Sequence, residues 1–179
     1  VYGAINSNEG IGKLIISNPN GMLYDGANFT TVNDLHLTTQ QLNAMYNNAT
    51  GNVDINPSTV EAIKGIEIKN NSNFNVGGTF TIASPSINIV NSVIKATGAQ
   101  GLRLVTQNGQ DYLLCPTTSN NVNHQAVRLE TVQVDGNVYV LAGEDIVKIV
   151  NGGTINGDLT VDTKGAVGLN YVSNGNKLD

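Results

Sequence analysis

The stretch Ile66-Glu-Ile-Lys-Asn70-Asn-Ser-Asn-Phe-Asn75-Val-Gly-Gly-Thr-Phe80-Thr-Ile-Ala-Ser-Pro85-Ser-Ile-Asn-Ile-Val90-Asn91 decides the fold. Apolar residues alternate with polar ones at Ile66-Glu67-Ile68, Phe80-Thr81-Ile82 and Ile87-Asn88-Ile89, which is the period of a strand. Gly77-Gly78 and Pro85 separate the runs, so each strand is short and ends in a turn. Short strands with frequent turns suit a sandwich, a barrel or a solenoid equally well. The motif apolar-x-apolar-x-Asn separates them, because Ile66/Ile68/Asn70 returns as Ile87/Ile89/Asn91 after 21 residues.

Outward from this stretch the motif recurs as Val147/Ile149/Asn151, in relaxed form as Val127/Leu129/Thr131, and as Leu14/Ile16/Asn18. The starts at 66, 87, 127 and 147 are 21, 40 and 20 residues apart, which implies a coil of about 20 residues and one degenerate coil near 107. Such a unit cannot bury its inward side alone and must stack on its neighbours. The expectation is an all-β, right-handed parallel β-helix of about seven to nine coils, one domain over residues 1–179. Two excursions interrupt it. Residues 38–50 carry Leu42, Met45 and Tyr46 at helical spacing and are expected to form one or two helical turns. Residues 111–126, with Pro116 and His124, read as a loop leaving the solenoid body. Asn70, Asn91 and Asn151 fall at one corner of successive coils. Asn tolerates positive φ there, and its amide can bond the equivalent Asn of the next coil in a ladder. The plainer alternative is that turns simply favour Asn.

Composition agrees. Asn supplies 27 of 179 residues and Gly 20, while charged residues make up 13%, about half the usual share. Leu, Ile, Val and Phe number 51, too many for a disordered chain. The net charge is −5 with scattered basic residues, so no nucleic-acid footprint is expected. The longest apolar run, Val138 to Gly143, falls far short of the roughly 20 residues of a spanning helix, so membrane insertion is not expected. A single cysteine, Cys115, excludes an internal disulfide and a Cys-based zinc site. No cofactor or metal is implied. The chain starts at Val1 and is read as a piece of something longer.

The most specific motif is Leu14-Ile-Ile-Ser-Asn18-Pro19-Asn20-Gly21-Met22-Leu-Tyr24-Asp-Gly26-Ala-Asn28-Phe29. In physical terms Asn18-Pro19-Asn20-Gly21 is a tight turn between strand Lys13–Ser17 and strand Met22–Tyr24, with Pro setting φ and Asn-Gly accepting positive φ. The whole stretch resembles the secretion domain of two-partner-secretion exoproteins, the filamentous-haemagglutinin and haemolysin family. That family shows an apolar strand, Asn-Pro-Asn-Gly, an apolar pair, an aromatic, a Gly and an Ala at this spacing. Gly3 to Gly10 upstream, and Asn70 to Gly78 and Ala83-Ser84-Pro85 downstream, are similar to the same family, so the likeness covers about residues 1–110. The family's N-terminal cap and its second signature, Asn-Pro-Asn-Leu, do not occur in this chain. The resemblance implies a non-enzymatic, secreted or cell-surface β-helix of a Gram-negative exoprotein. It would be exported by a dedicated outer-membrane transporter and serve as an adhesin or haemagglutinin stalk toward a host-cell or glycan receptor. Asn18, Pro19, Asn20 and Gly21 would be its export signature.

A carbohydrate-binding or carbohydrate-cleaving β-helix is the alternative. Cleavage needs carboxylates converging on one face. The candidates Glu130, Asp135, Glu144, Asp145, Asp158 and Asp162 form no stacked pair in the repeat, and His36 and His124 stand 88 residues apart. The six tyrosines form no regular array for stacking sugars.

Overall fold

The computed structural model describes residues 4–5, 10–57, 64–106, 127–143 and 146–173. They form an all-β parallel solenoid in which sixteen of eighteen strands join one sheet, wound into coils with three faces. Chain order runs through β1 (Ala4–Ile5) and β2 (Ile11–Ser17), then β3 (Met22–Asp25) and the long β4 (Asn28–Thr38). A hairpin of β5 (Leu42–Asn47) and β6 (Asn52–Pro57) follows. Two coils of three strands come next: β7 (Ile66–Lys69), β8 (Asn73–Val76) and β9 (Phe80–Ala83), then β10 (Ile87–Val90), β11 (Val93–Ala96) and β12 (Leu102–Val105). The remaining coils comprise β13 (Val127–Glu130), β14 (Gln133–Asp135), β15 (Val138–Gly143), β16 (Val147–Asn156), β17 (Leu159–Thr163) and β18 (Val167–Ser173).

Register defines the faces. On the first face Met22 pairs with Ile66, Ile66 with Ile87, Ile87 with Val127, Val127 with Val147 and Val147 with Val167. The second face stacks Phe29, Phe74, Ile94, Val134 and Ile155, and the third stacks Leu35, Phe80, Leu102, Val138 and Leu159. Because side chains alternate along a strand, every second residue enters the bore, and all of these third- and second-face residues are buried. The chain's three phenylalanines and Tyr24 gather at one end of the bore. Phe29 stacks on Phe74 at 4.8 Å and Phe74 on Phe80 at 5.0 Å, with Tyr24 edge-on to Phe29 and Phe74. Aliphatic residues fill the later coils. At the last one, Val167 and Leu169 continue the inward columns yet remain 46% and 37% exposed.

Three expectations need correction. Residues 38–50 are not helical, since Leu42–Asn47 pairs antiparallel with Asn52–Pro57 across a turn at 48–51. Among the described residues there is no helix at all. No degenerate coil lies near 107, because Ile87 pairs directly with Val127, so the 40-residue spacing is one coil with an insertion. The segment 111–126 itself lies outside the described residues. Finally, Leu14/Ile16/Asn18 is not a copy of the Asn-corner motif, because β2 pairs with the second half of β4 on the third face.

Candidate functional site

The corner between the third face and the next coil's first face is where the chain departs from the minimal coil. Asn18–Gly21 fills it once, the chain leaves it after Thr38 and returns at Ile66 one coil later, and it leaves after Val105 and returns at Val127 two coils after that. At the first of these, the Gly21 amide donates to the Asn18 carbonyl at 3.1 Å, closing a four-residue turn. The Asn20 amide donates to the Asn18 side-chain oxygen at 3.0 Å, and the Asn18 amide donates to the Thr38 carbonyl of the next coil at 3.0 Å. Gly21 takes a φ of +86° and Asn20 does not take a positive φ. With Pro19 in the second position, this is a type I turn followed by a left-handed glycine. The expectation that Asn and Gly share the positive φ therefore holds for Gly21 alone. A Cβ on Gly21 would come within 2.8 Å of Lys64 Cβ and 2.9 Å of the Gly65 carbonyl oxygen. That same oxygen accepts the Met22 amide at 3.2 Å, so the turn is packed against the coil above it.

The Asn corner joins the first and second faces. Asn70, Asn91, Thr131 and Asn151 each follow a first-face strand and each take a φ between 45° and 58°, with Gly26 at 60° in the same place one coil earlier. Asn70 Nδ2 donates to Asp25 Oδ1 at 2.7 Å and Asn151 Nδ2 to Glu130 Oε1, in both instances a carboxylate of the preceding coil. Asn91 acts through its backbone, accepting from the Asn71 amide and donating to the Glu130 carbonyl. Inside this corner Ser72 is fully buried, its hydroxyl donating to the Lys69 carbonyl and accepting from the Ala27 amide.

Sequence reasoning missed the outward side of the third face. The row Ile15, His36, Thr81, Arg103, Tyr139, Thr160 is set by register, one residue per coil. Period-two alternation marks these residues as outward, yet Thr81 is only 7% exposed. Its neighbours Thr38, Ala83 and Val105, one row over, are fully buried. The His36 Nε2 atom is buried with no hydrogen-bond partner among the described residues, and burial, aided by the charge of Lys13, pushes the imidazole down to about 4. Burial likewise pushes the Tyr24 phenol far above its usual range inside the bore.

Farther along the row Arg103 lies over the Tyr139 ring, its guanidinium carbon 5.4 Å from the centroid, and donates to Gln100 Oε1. These residues line a groove of about 260 Å³ with Ala99, Asn137, Asp158 and Thr160. Its wall comes from unequal corners. Five residues, 97–101, join β11 to β12, whereas two residues join β14 to β15 and two join β16 to β17. Ala99 and Gln100 thus overhang two shorter coils. A five-residue corner against two-residue corners was the readable signal, but only once the coil register was known.

The described carboxylates are dispersed. Glu130 ends a first-face strand, Asp135 pairs with Lys95 on the second face, Asp158 sits at a corner and Asp162 on the third face. Glu144, Asp145, His124 and Cys115 lie outside the described residues. Among the described residues no group of three potential metal ligands forms. Comparison with known protein families, with characterised proteins and with solved structures finds no match to this chain.

Proposed function

We propose that this chain is a non-enzymatic β-helical part of a two-partner-secretion exoprotein, exported through an outer-membrane transporter and serving at the cell surface as part of an adhesive stalk. The observation that carries the proposal is the Asn18–Gly21 turn. It lies within the stretch that resembles the family, and its glycine sits where a Cβ would meet Lys64 and Gly65 of the next coil.

The fold supports a mechanism in which stacking drives outward movement. Each coil is stacked on both neighbours, so a coil added to a growing solenoid buries its apolar side chains first against the one before, as Ile87, Ile89, Ile94, Leu102 and Leu104 do upon Ile66, Ile68, Phe74, Phe80 and Ile82. A chain emerging from a pore gains this burial one coil at a time, and a folded coil cannot slip back. The aromatic cluster of Tyr24, Phe29, Phe74 and Phe80 gives the earliest coils the largest buried side chains, a suitable nucleus for N-terminal-first stacking.

The test is secretion from a Gram-negative host carrying candidate outer-membrane partners, using this chain with its native upstream residues. Appearance in the medium only when a partner is co-expressed is expected. Failure of every partner to export the extended chain, or export without any partner, refutes the proposal.

A further inference from the structure

We infer that the groove beside Arg103 and Tyr139 is a binding site for one sugar ring of a neutral polysaccharide lying along the third face. The inference gives an address to the carbohydrate-binding alternative raised by the sequence and does not rest on the export reading. The groove is built, not incidental, because the five-residue corner 97–101 overhangs the two-residue corners at Gly136-Asn137 and Gly157-Asp158. At about 260 Å³ it falls below the roughly 300–1,000 Å³ of sites for drug-sized ligands and suits a single ring gripped from one side.

Its lining matches a polyol. Gln100, Asn137 and Thr160 offer both donors and acceptors, Arg103 offers donors and Asp158 acceptors. Tyr139 adds an aromatic surface, and its orientation is fixed by Arg103 above it and by its backbone register between Leu102–Val105 and Leu159–Thr163. Asn137 is itself held, because its side-chain oxygen accepts the Asp158 amide at 3.0 Å. Charge selects the class of sugar. One Arg and one Asp cancel within the groove, and the whole chain carries −5, which disfavours a polyanion such as a sulfated glycan. Parallel coils repeat at about 4.8 Å. A linear polymer running along the row would therefore meet Thr160, Tyr139 and Arg103 in turn, and would stop short of Thr81, which is buried.

The test is calorimetric titration of the folded chain with four neutral hexasaccharides (cello-, malto-, manno- and chitohexaose) and with a heparin hexasaccharide. At least one neutral sugar is expected to bind in the millimolar range or tighter. Tyr139→Ala and Arg103→Ala, both outward substitutions, should each weaken it about tenfold, while Tyr139→Phe should retain most of the affinity and Lys95→Ala on the second face all of it. Unchanged circular dichroism and thermal melting separate loss of binding from loss of fold. No binding by any neutral sugar, binding by heparin alone, or affinity indifferent to both alanine variants would overturn the assignment.

Discussion

Replacing Asn20-Gly21 by Val-Val should break the turn, and the structure assigns nearly the whole effect to one of the two positions. Gly21 holds a φ of +86°, which costs a residue with a Cβ about 1–2 kcal/mol, more when it is β-branched. The new Cβ would sit 2.9 Å from the Gly65 carbonyl oxygen and 2.8 Å from Lys64 Cβ. That oxygen cannot retreat freely because it accepts the Met22 amide, a bond worth a net of about 1 kcal/mol. Together these give about 2–4 kcal/mol for Gly21→Val. Asn20 is exposed and its φ is not positive, so Asn20→Val should stay within about 0.5 kcal/mol. A solenoid opens locally from an end, so global melting understates such damage and amide hydrogen exchange is the appropriate assay. Exchange at Met22 should quicken about a hundredfold in Gly21→Val and in the double variant, taking 1.4 kcal/mol per decade, and should hardly change in Asn20→Val. Equal effects from the two single substitutions, or none from either, would refute this account of the turn. If the turn also serves export, secretion should fall with Gly21→Val and persist with Asn20→Val.

Three further outcomes follow from buried or strained groups. Phe74→Ala removes the centre of the aromatic stack, fully buried between Phe29 and Phe80, and should cost about 3–5 kcal/mol in chemical denaturation. Thr131 is β-branched at a φ of 52°, where the equivalent corners use Asn or Gly; Thr131→Asn should therefore raise the denaturation midpoint, and a lowered midpoint would show that the Thr131 hydroxyl bond to the Asn151 carbonyl outweighs the strain. His36 is held neutral, down to about 4 from an ordinary 6.5, so below pH 6.5 the unfolded chain binds a proton that the folded chain refuses. Stability should fall as pH drops from about 6.5 to about 4, by at most about 3 kcal/mol, and His36→Gln should flatten that window in a pH series of denaturation curves.

The fold was legible because burial on one side imposes period two within a strand, and stacking imposes a period of about 20 between strands. Ile66, Ile87, Val127 and Val147 carry both signals, and they do pair in register. The failures share one cause, which is that a periodic pattern does not say which face a strand occupies. Leu14/Ile16/Asn18 has the same alternation as Ile66/Ile68/Asn70 but belongs to the third face, where its Asn begins a type I turn instead of taking positive φ. The spacing of Leu42, Met45 and Tyr46 suggested a helix, yet the backbone there pairs with residues 52–57 across a turn containing Gly51 at a φ of 69°. Long-range pairing overrode local spacing. Arg103 and Tyr139 were invisible as a pair because they are 36 residues apart in sequence and adjacent only through coil register.

The three corners differ in length, and both long excursions leave from the same one. At the corner between second and third faces the glycine backbones of adjacent coils touch, and among the described residues this corner grows to no more than five residues. A Cβ on Gly98 would meet the Gly78 carbonyl carbon at 2.6 Å, and one on Gly157 the Gly136 oxygen at 2.5 Å. The corner between first and second faces is one or two left-handed residues, followed in three coils by a buried Ser72, Ser92 or Val132, with its amides already bonded between coils. The third corner is stacked too, with Gly21 against Gly65 and Gly65 against Ser86, yet the longest separations between solenoid strands, Thr38 to Ile66 and Val105 to Val127, both fall there. A ten-residue Gly/Ser insertion between exposed Lys164 and half-buried Gly165 interrupts one bond, Gly165 amide to Thr163 hydroxyl, and should cost about 1–2 kcal/mol in loop closure plus about 1 kcal/mol for that bond. The same insertion between Gly136 and Asn137 would disrupt three bonds at once: Gly136 amide to Asn156 carbonyl, Leu102 amide to Asn137 carbonyl, and Asp158 amide to the Asn137 side chain. Its denaturation midpoint should drop well below that of the first variant. Equal tolerance at the two sites would mean that glycine packing does not govern where this solenoid grows its loops.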